Sequence, residues 1–234
     1  MENKRGISHL EAILAFVFFI GFLIFAFIFF NPFSSNRTLD SSLEYAFIEI
    51  KQFAEVEVVT YSISMASTAP NLIAIKIQNT PQGANASVED ANGNIIPSYT
   101  ASDGAVHFDR NGKNFARIKY RKVFDAGNSG ITGTLIINGT NYTISSSTSK
   151  KVFSEKRALE LNSSYYFDYP QLKKQFNLPD RIDFGFAVSF SDGYLIKSQG
   201  EVPEGLEVFG NTDRIEVARS GGKIEFADLI VNVW

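Results

Sequence analysis

The stretch Ile182–Ser191, IDFGFAVSFS, switches side-chain character at every step. Ile182, Phe184, Phe186, Val188 and Phe190 fall on one side, and Asp183, Gly185, Ala187, Ser189 and Ser191 on the other. Successive side chains of an extended chain point to opposite faces, so the pattern predicts a β-strand with one face packed and one nearer solvent. The same period recurs in both directions. Toward the C-terminus, Arg214–Ala218 and Lys223–Trp234 flank Ser220-Gly221-Gly222 and read as two strands and a turn. Toward the N-terminus a short helix is expected over Pro170–Asn177, with proline in its first turn, Leu172 and Phe176 on one side, and Pro179 as its stop. Further upstream the period of two returns from Glu55: Val56, Val58 and Thr60 alternate with Glu57, Val59 and Tyr61, and Ile73, Ile75 and Ile77 continue it. Asn92-Gly93 and Asn138-Gly139 read as tight hairpin turns. Residues 55–234 are therefore expected to form a mainly-β, β-sandwich-like domain. The polar run Ser145–Ser149 reads either as a linker between two β lobes or as a hairpin strand.

Upstream of the strands the period changes. Leu39, Leu43, Ala46, Phe47, Ile50 and Phe53 recur at spacings of three and four, which predicts an amphipathic helix over Thr38–Phe53 with Thr38 as its cap. Residues 31–54 are thus a linker and a short helix. Before them, Ala12–Phe30 is an unbroken apolar run, AILAFVFFIGFLIFAFIFF. As a helix its nineteen residues would reach roughly 28 Å at about 1.5 Å each, near the thickness of a bilayer core. Its phenylalanines fall all round, as suits a helix surrounded by lipid or by other apolar helices. Asn31-Pro32 ends it, because the residue before proline disfavours helix. A single membrane span over residues 7–30 is the expectation. Lys4 and Arg5 precede it, while Arg37 on the far side is followed by Asp40 and Glu44, so the N-terminus is expected in the cytoplasm and the β domain outside.

Lys4-Arg5-Gly6-Ile7-Ser8-His9-Leu10-Glu11, followed by that run, resembles the prepilin leader of the type IV pilin superfamily. The resemblance implies that residues 1–6 are a leader cut between Gly6 and Ile7 by a prepilin peptidase, with the apolar helix kept. Glu11 would then be the fifth residue of the mature chain, where many pilins carry a glutamate. It implies a partner for that carboxylate in the free amine of Ile7 on a neighbouring subunit, since an apolar layer penalises an unpaired charge. The Lys-Arg-Gly leader and the lack of cysteine point to archaeal relatives. The proline so soon after the run departs from many bacterial pilins.

Composition bounds the chemistry. The 234 residues contain no cysteine, which removes disulfides, thiolate metal sites and cysteine nucleophiles. A net charge of −3 gives no electrostatic support to nucleic-acid binding. Of the two histidines, His9 is expected at the membrane and His107 alternates with Val106 and Phe108 as a polar-face strand residue. Asp183-Phe184-Gly185 matches a kinase tripeptide in letters alone, without a glycine-rich or catalytic loop. Asp90-Ala91-Asn92-Gly93-Asn94 opens like a calcium loop but lacks the closing glutamate, and turn chemistry explains the same residues. No enzymatic activity, metal or cofactor is expected. Asn36, Asn85, Asn138, Asn141 and Asn162 are N-glycosylation sequons, all on the expected outer side.

Three functions fit these features. The first is a membrane-anchored minor pilin-like subunit, structural or adhesive, joined to other pilin-like subunits through the N-terminal helix. The second is a solitary membrane-tethered domain that binds a solute or glycan without polymerising. The third, a surface hydrolase, would need a cleft with convergent carboxylates.

Overall fold

The structure is a computed structural model that describes residues 4–29 and 34–234, with side chains described for residues 11–26 and 39–234. Helix α1 runs Lys4–Phe29 and α2 runs Ser34–Ala54. The Asn31-Pro32 break falls outside the described residues. On α1, Ile13, Phe16, Phe18, Phe22 and Phe25 are all exposed. Among the described residues no helix is long and apolar enough to cross a membrane. The side chains described on α1 stop at residue 26, whereas the apolar run continues in sequence to Phe30.

The rest of the chain is mainly β. A nine-stranded sheet holds β1 (Glu55–Met65), β3 (Asn85–Glu89), β4 (Ile95–Ile96), β7 (Phe115–Arg121), β9 (Tyr142–Ser154), β10 (Phe184–Phe190), β11 (Leu195–Ser198), β12 (Phe209–Ala218) and β13 (Ile224–Val233). Its order is β11-β10-β13-β12-β9-β1-β7-β3-β4. A four-stranded sheet, β5-β6-β2-β8, is built from β2 (Leu72–Ile75), β5 (Ser98–Thr100), β6 (Val106–Asp109) and β8 (Thr134–Leu135). β9 pairs with β1 along its length, but meets β12 only at Phe153 and Ser154, in parallel. Ser145–Ser149 lies inside β9.

The long sheet serves two main cores and a small third cluster of Val58, Phe124, Val152 and Ala218. Over β1, β3 and β7, the small sheet closes a sandwich on Ile63, Val88, Ile118 and Tyr120, with Ile73, Ile75, Val106 and Phe108 facing them. Over β10, β12 and β13, the cover is helical: α2, α3 (Glu155–Phe167) and α4 (Tyr169–Gln175). The expectation of a mainly-β domain therefore holds, with the small sheet facing one half of the large sheet and helices covering the other.

α2 buries Ala46, Phe47, Ile50 and Ala54, the face its spacing marks. It starts at Ser34, so Thr38 lies a turn inside it and not at its cap. α3 corrects the expectation of one helix in this region. Ser154 caps it by accepting from the Arg157 amide at 3.3 Å, and Ala158, Leu161 and Tyr165 fill one face at spacings of three and four. α4 follows directly, capped by Asp168 with Pro170 in its first turn. The two helices dock through tyrosines: Tyr165 Oη donates to the Phe184 carbonyl at 2.7 Å, and Tyr169 Oη donates to Asp183 at 3.0 Å. β10 keeps the expected alternation, with Phe184, Phe186, Val188 and Phe190 buried. Asn92-Gly93 turns β3 into β4 as a hairpin. Asn138-Gly139 does not join paired strands: β8 before it pairs with β2 in the small sheet, and β9 after it belongs to the large one.

Candidate functional site

β7 sets up the site by simple alternation. Ala116, Ile118 and Tyr120 enter the sandwich core, while Phe115, Arg117 and Lys119 lie half-buried on the opposite face. Lys119 is ion-paired with Glu89 across the sheet on that face. Arg121, the next residue of the same set, sits opposite Asn85 at the end of the ladder and is only 2% exposed.

Nothing described in the chain satisfies it. Nε, Nη1 and Nη2 of Arg121 are all buried without a hydrogen-bond partner among the described residues. The guanidinium faces the Phe124 ring with Cζ 5.6 Å from its centroid. Burial pulls the Arg121 pKa down to about 10, and the nearby positive charge of Arg157 acts in the same sense. The side chain is still cationic at neutral pH.

A second buried arginine shows how this chain treats a structural guanidinium. Arg110 is 4% exposed. Its Nε donates to the Pro70 carbonyl at 3.0 Å, Nη1 to the Lys113 carbonyl and Asn114 Oδ1 at 3.0 and 2.8 Å, and Nη2 to the carbonyls of Ser67 and Ala69 at 3.0 and 2.6 Å. Arg110 ties a loop together. Arg121 makes no such bond among the described residues.

Arg121 lines a cleft of about 200 Å³ together with Lys122, Arg157, Glu57, Val56 and Pro81. Arg157, from the first turn of α3, is half-exposed and pairs with Glu160 at 3.1 Å. Glu57 accepts a hydrogen bond from Ser149. A larger groove of about 520 Å³ runs past Tyr61, Tyr142, Leu135 and Ile137, the last two well exposed.

The residues singled out from sequence are scattered. Lys4, Arg5, Gly6 and Ile7 lie in α1 with side chains outside the described set, as does Asn36 in α2, and Glu11 is exposed on α1. Asn85 Nδ2 donates to the Phe124 carbonyl at 2.7 Å. Asn162 Nδ2 donates to the Lys197 carbonyl at 2.7 Å and Ser198 Oγ at 2.8 Å. Both amides are thus engaged in holding the fold. Asn141 Oδ1 accepts from the Ile137 amide at 3.2 Å, and Asn138 is exposed at the turn. His107 Nδ1 accepts from the Gly133 amide at 3.1 Å and positions β8. Asp183 accepts from Lys173 at 2.9 Å as well as from Tyr169. Asp90 accepts from the amides of Asn92 and Asn94, both at 2.9 Å, and from Lys113 at 2.6 Å. Among the described residues no cluster of three or more histidines and carboxylates could hold a metal.

Arg121 was not legible as special in the sequence. The alternation in Arg117-Ile118-Lys119-Tyr120-Arg121 places three basic residues on one face, and of these only Arg121 is fully buried, beside the Phe124 ring. In comparisons with known proteins, no family model, no curated protein and no solved structure matches the chain.

Proposed function

We propose that the chain is a membrane-anchored surface protein with pilin-like architecture, processed between Gly6 and Ile7 and joined to pilin-like subunits through α1. The observation that carries this reading is α1 itself. It is a 26-residue helix on which Ile13, Phe16, Val17, Phe18 and Phe22 are exposed, and its described side chains fill neither of the two main cores. A helix this apolar, left uncovered, requires lipid or other helices around it. The basic pair, glycine and Glu11 ahead of the run support the prepilin form of that anchor. The β domain would then face outward, where Asn138 offers a more accessible sequon amide than Asn85 or Asn162.

The test is Glu11→Ala in the native host, with N-terminal mass determination. Removing one partner of a buried charge pair typically costs about 3–5 kcal/mol. The expected outcome is a mature N-terminus at Ile7 in both proteins, equal membrane insertion, and loss of pelletable or crosslinkable assembly in the variant. An intact Met1 on surface-localised protein overturns the leader. Equal assembly of both forms, or none in the wild type, favours the second reading, a solitary tethered binding domain. The unpartnered Arg121 is the observation that supports that second reading.

A further inference from the structure

We propose that the cleft between the end of β7 and the start of α3 is a binding site for a carboxylate, with Arg121 as its anchor and Lys122 and Arg157 beside it. The inference stands apart from the anchor and from assembly, since it rests only on the β domain.

A guanidinium taken out of water loses its hydration, and the loss is recovered only by a counter-charge and by hydrogen bonds to its N–H groups. Arg110 recovers it from five acceptors around it. Arg121 is buried more deeply and has none among the described residues; its contact with Phe124 is cation–π, with Cζ 5.6 Å from the ring centroid, and supplies no oxygen acceptor. Stability alone does not explain such a residue, because an apolar side chain of similar volume would fill the same space without the charge. A ligand that brings the missing acceptors does explain it.

The cleft limits what that ligand is. Arg121, Lys122 and Arg157 are positive, but Arg157 is already paired with Glu160, and Glu57 stands at the same cleft. The surplus suits a single negative charge better than a dianion. A planar carboxylate meets the fork of a guanidinium with two parallel hydrogen bonds. About 200 Å³ is room for roughly six waters, enough for a carboxylate and a few attached atoms. Val56 and Pro81 supply apolar wall for the carbon part of the ligand.

The experiment uses full-length protein in detergent, titrated with sodium acetate, sodium glucuronate, sodium phosphate and sodium chloride at matched ionic strength. Thermal unfolding and calorimetry are the readouts. Acetate and glucuronate should raise the melting temperature saturably, and chloride should not. Arg121→Met should abolish the response while melting no lower than the unliganded wild type. Arg157→Gln, at an exposed position, should fold normally and weaken carboxylate affinity by about tenfold. The proposal is overturned by an equal response to chloride, by no response to either carboxylate, or by a response that survives Arg121→Met. Tighter binding of phosphate than of both carboxylates overturns the ligand class. If Arg121→Met does not fold, Arg157→Gln decides, and unchanged affinity in that variant rejects the site.

Discussion

Asp90 shows how a short polar sequence is committed to structure and not to a metal. Its carboxylate is buried at 1% exposure, bonded to two turn amides and to Lys113. Gly93, at φ 84°, lets the chain turn between them. The hydrogen bond from Lys113, then those from Asn94, hold the Asp90 pKa well below its ordinary 3.8. Folding therefore lowers proton affinity here, so the stabilisation is complete above the unfolded value and is lost as pH falls toward the folded one. Asp103 is lowered in the same sense, by the Ala105 amide and then by Lys76. The melting temperature should stay level from pH 7 to about 5 and fall below about pH 4. Asp90→Asn should melt lower at pH 7 and show a shallower acid decline. Parallel curves for the two proteins in thermal unfolding from pH 3 to 7 would remove Asp90 from the account.

At the scale of elements, the small sheet depends on a close approach that only glycine permits. A Cβ on Gly133 would lie 2.3 Å from the Ile73 carbonyl carbon and oxygen, inside the backbone of β2. β8 follows at once and pairs with β2 through Ile73 and Thr134, while the Gly133 amide is held by His107. Gly133→Ala must push β8 off the sheet edge. The expected loss is about 1–3 kcal/mol, and at roughly 2–4 °C per kcal/mol the melting temperature should drop by several degrees. An unchanged melting temperature would mean that β8 moves freely. Within the helix-covered half, charge ties elements together. Arg219 just past β12 meets Glu155 of α3 at 3.0 Å and Glu225 of β13 at 2.7 Å, pairs with Asp192, and covers the Phe190 ring at 4.0 Å. One side chain thereby fixes the start of α3 to two hairpins.

For the whole molecule, the two cores set where the chain can be cut. α2 is part of the helical cover of the sheet, so residues 34–234 should fold without α1, with circular dichroism dominated by β structure. Beginning at Glu55 instead removes Phe47 and Ile50 from the core, each worth about 1.5–3 kcal/mol when fully buried. That shorter chain should melt far lower or aggregate through the exposed faces of β12 and β13. Equal stability of the two fragments would show that α2 is not structural, whereas a helix-dominated spectrum from 34–234 would contradict the described sheets.

Local pattern determined much of this protein. Alternation in Ile182–Ser191 marked β10 and its buried face, spacing in Leu39–Phe53 marked the packed side of α2, and Asn92-Gly93 marked a hairpin. These features depend on neighbours within one turn or one pleat, which sequence displays directly. α3 carries its own local signal in Ala158, Leu161 and Tyr165 behind a serine cap, set between a long strand and a proline-led helix. What covers each half of the large sheet was decided only in three dimensions, because an apolar face accepts a helix or a second sheet equally. So was the difference between Arg110 and Arg121. Both are basic residues near strand ends, yet one meets three carbonyls from the distant Ser67–Pro70 segment and two acceptors just downstream, and the other meets none among the described residues. Burial, and most of these hydrogen-bond partners, come from segments brought together by the whole fold, which no short window of sequence contains.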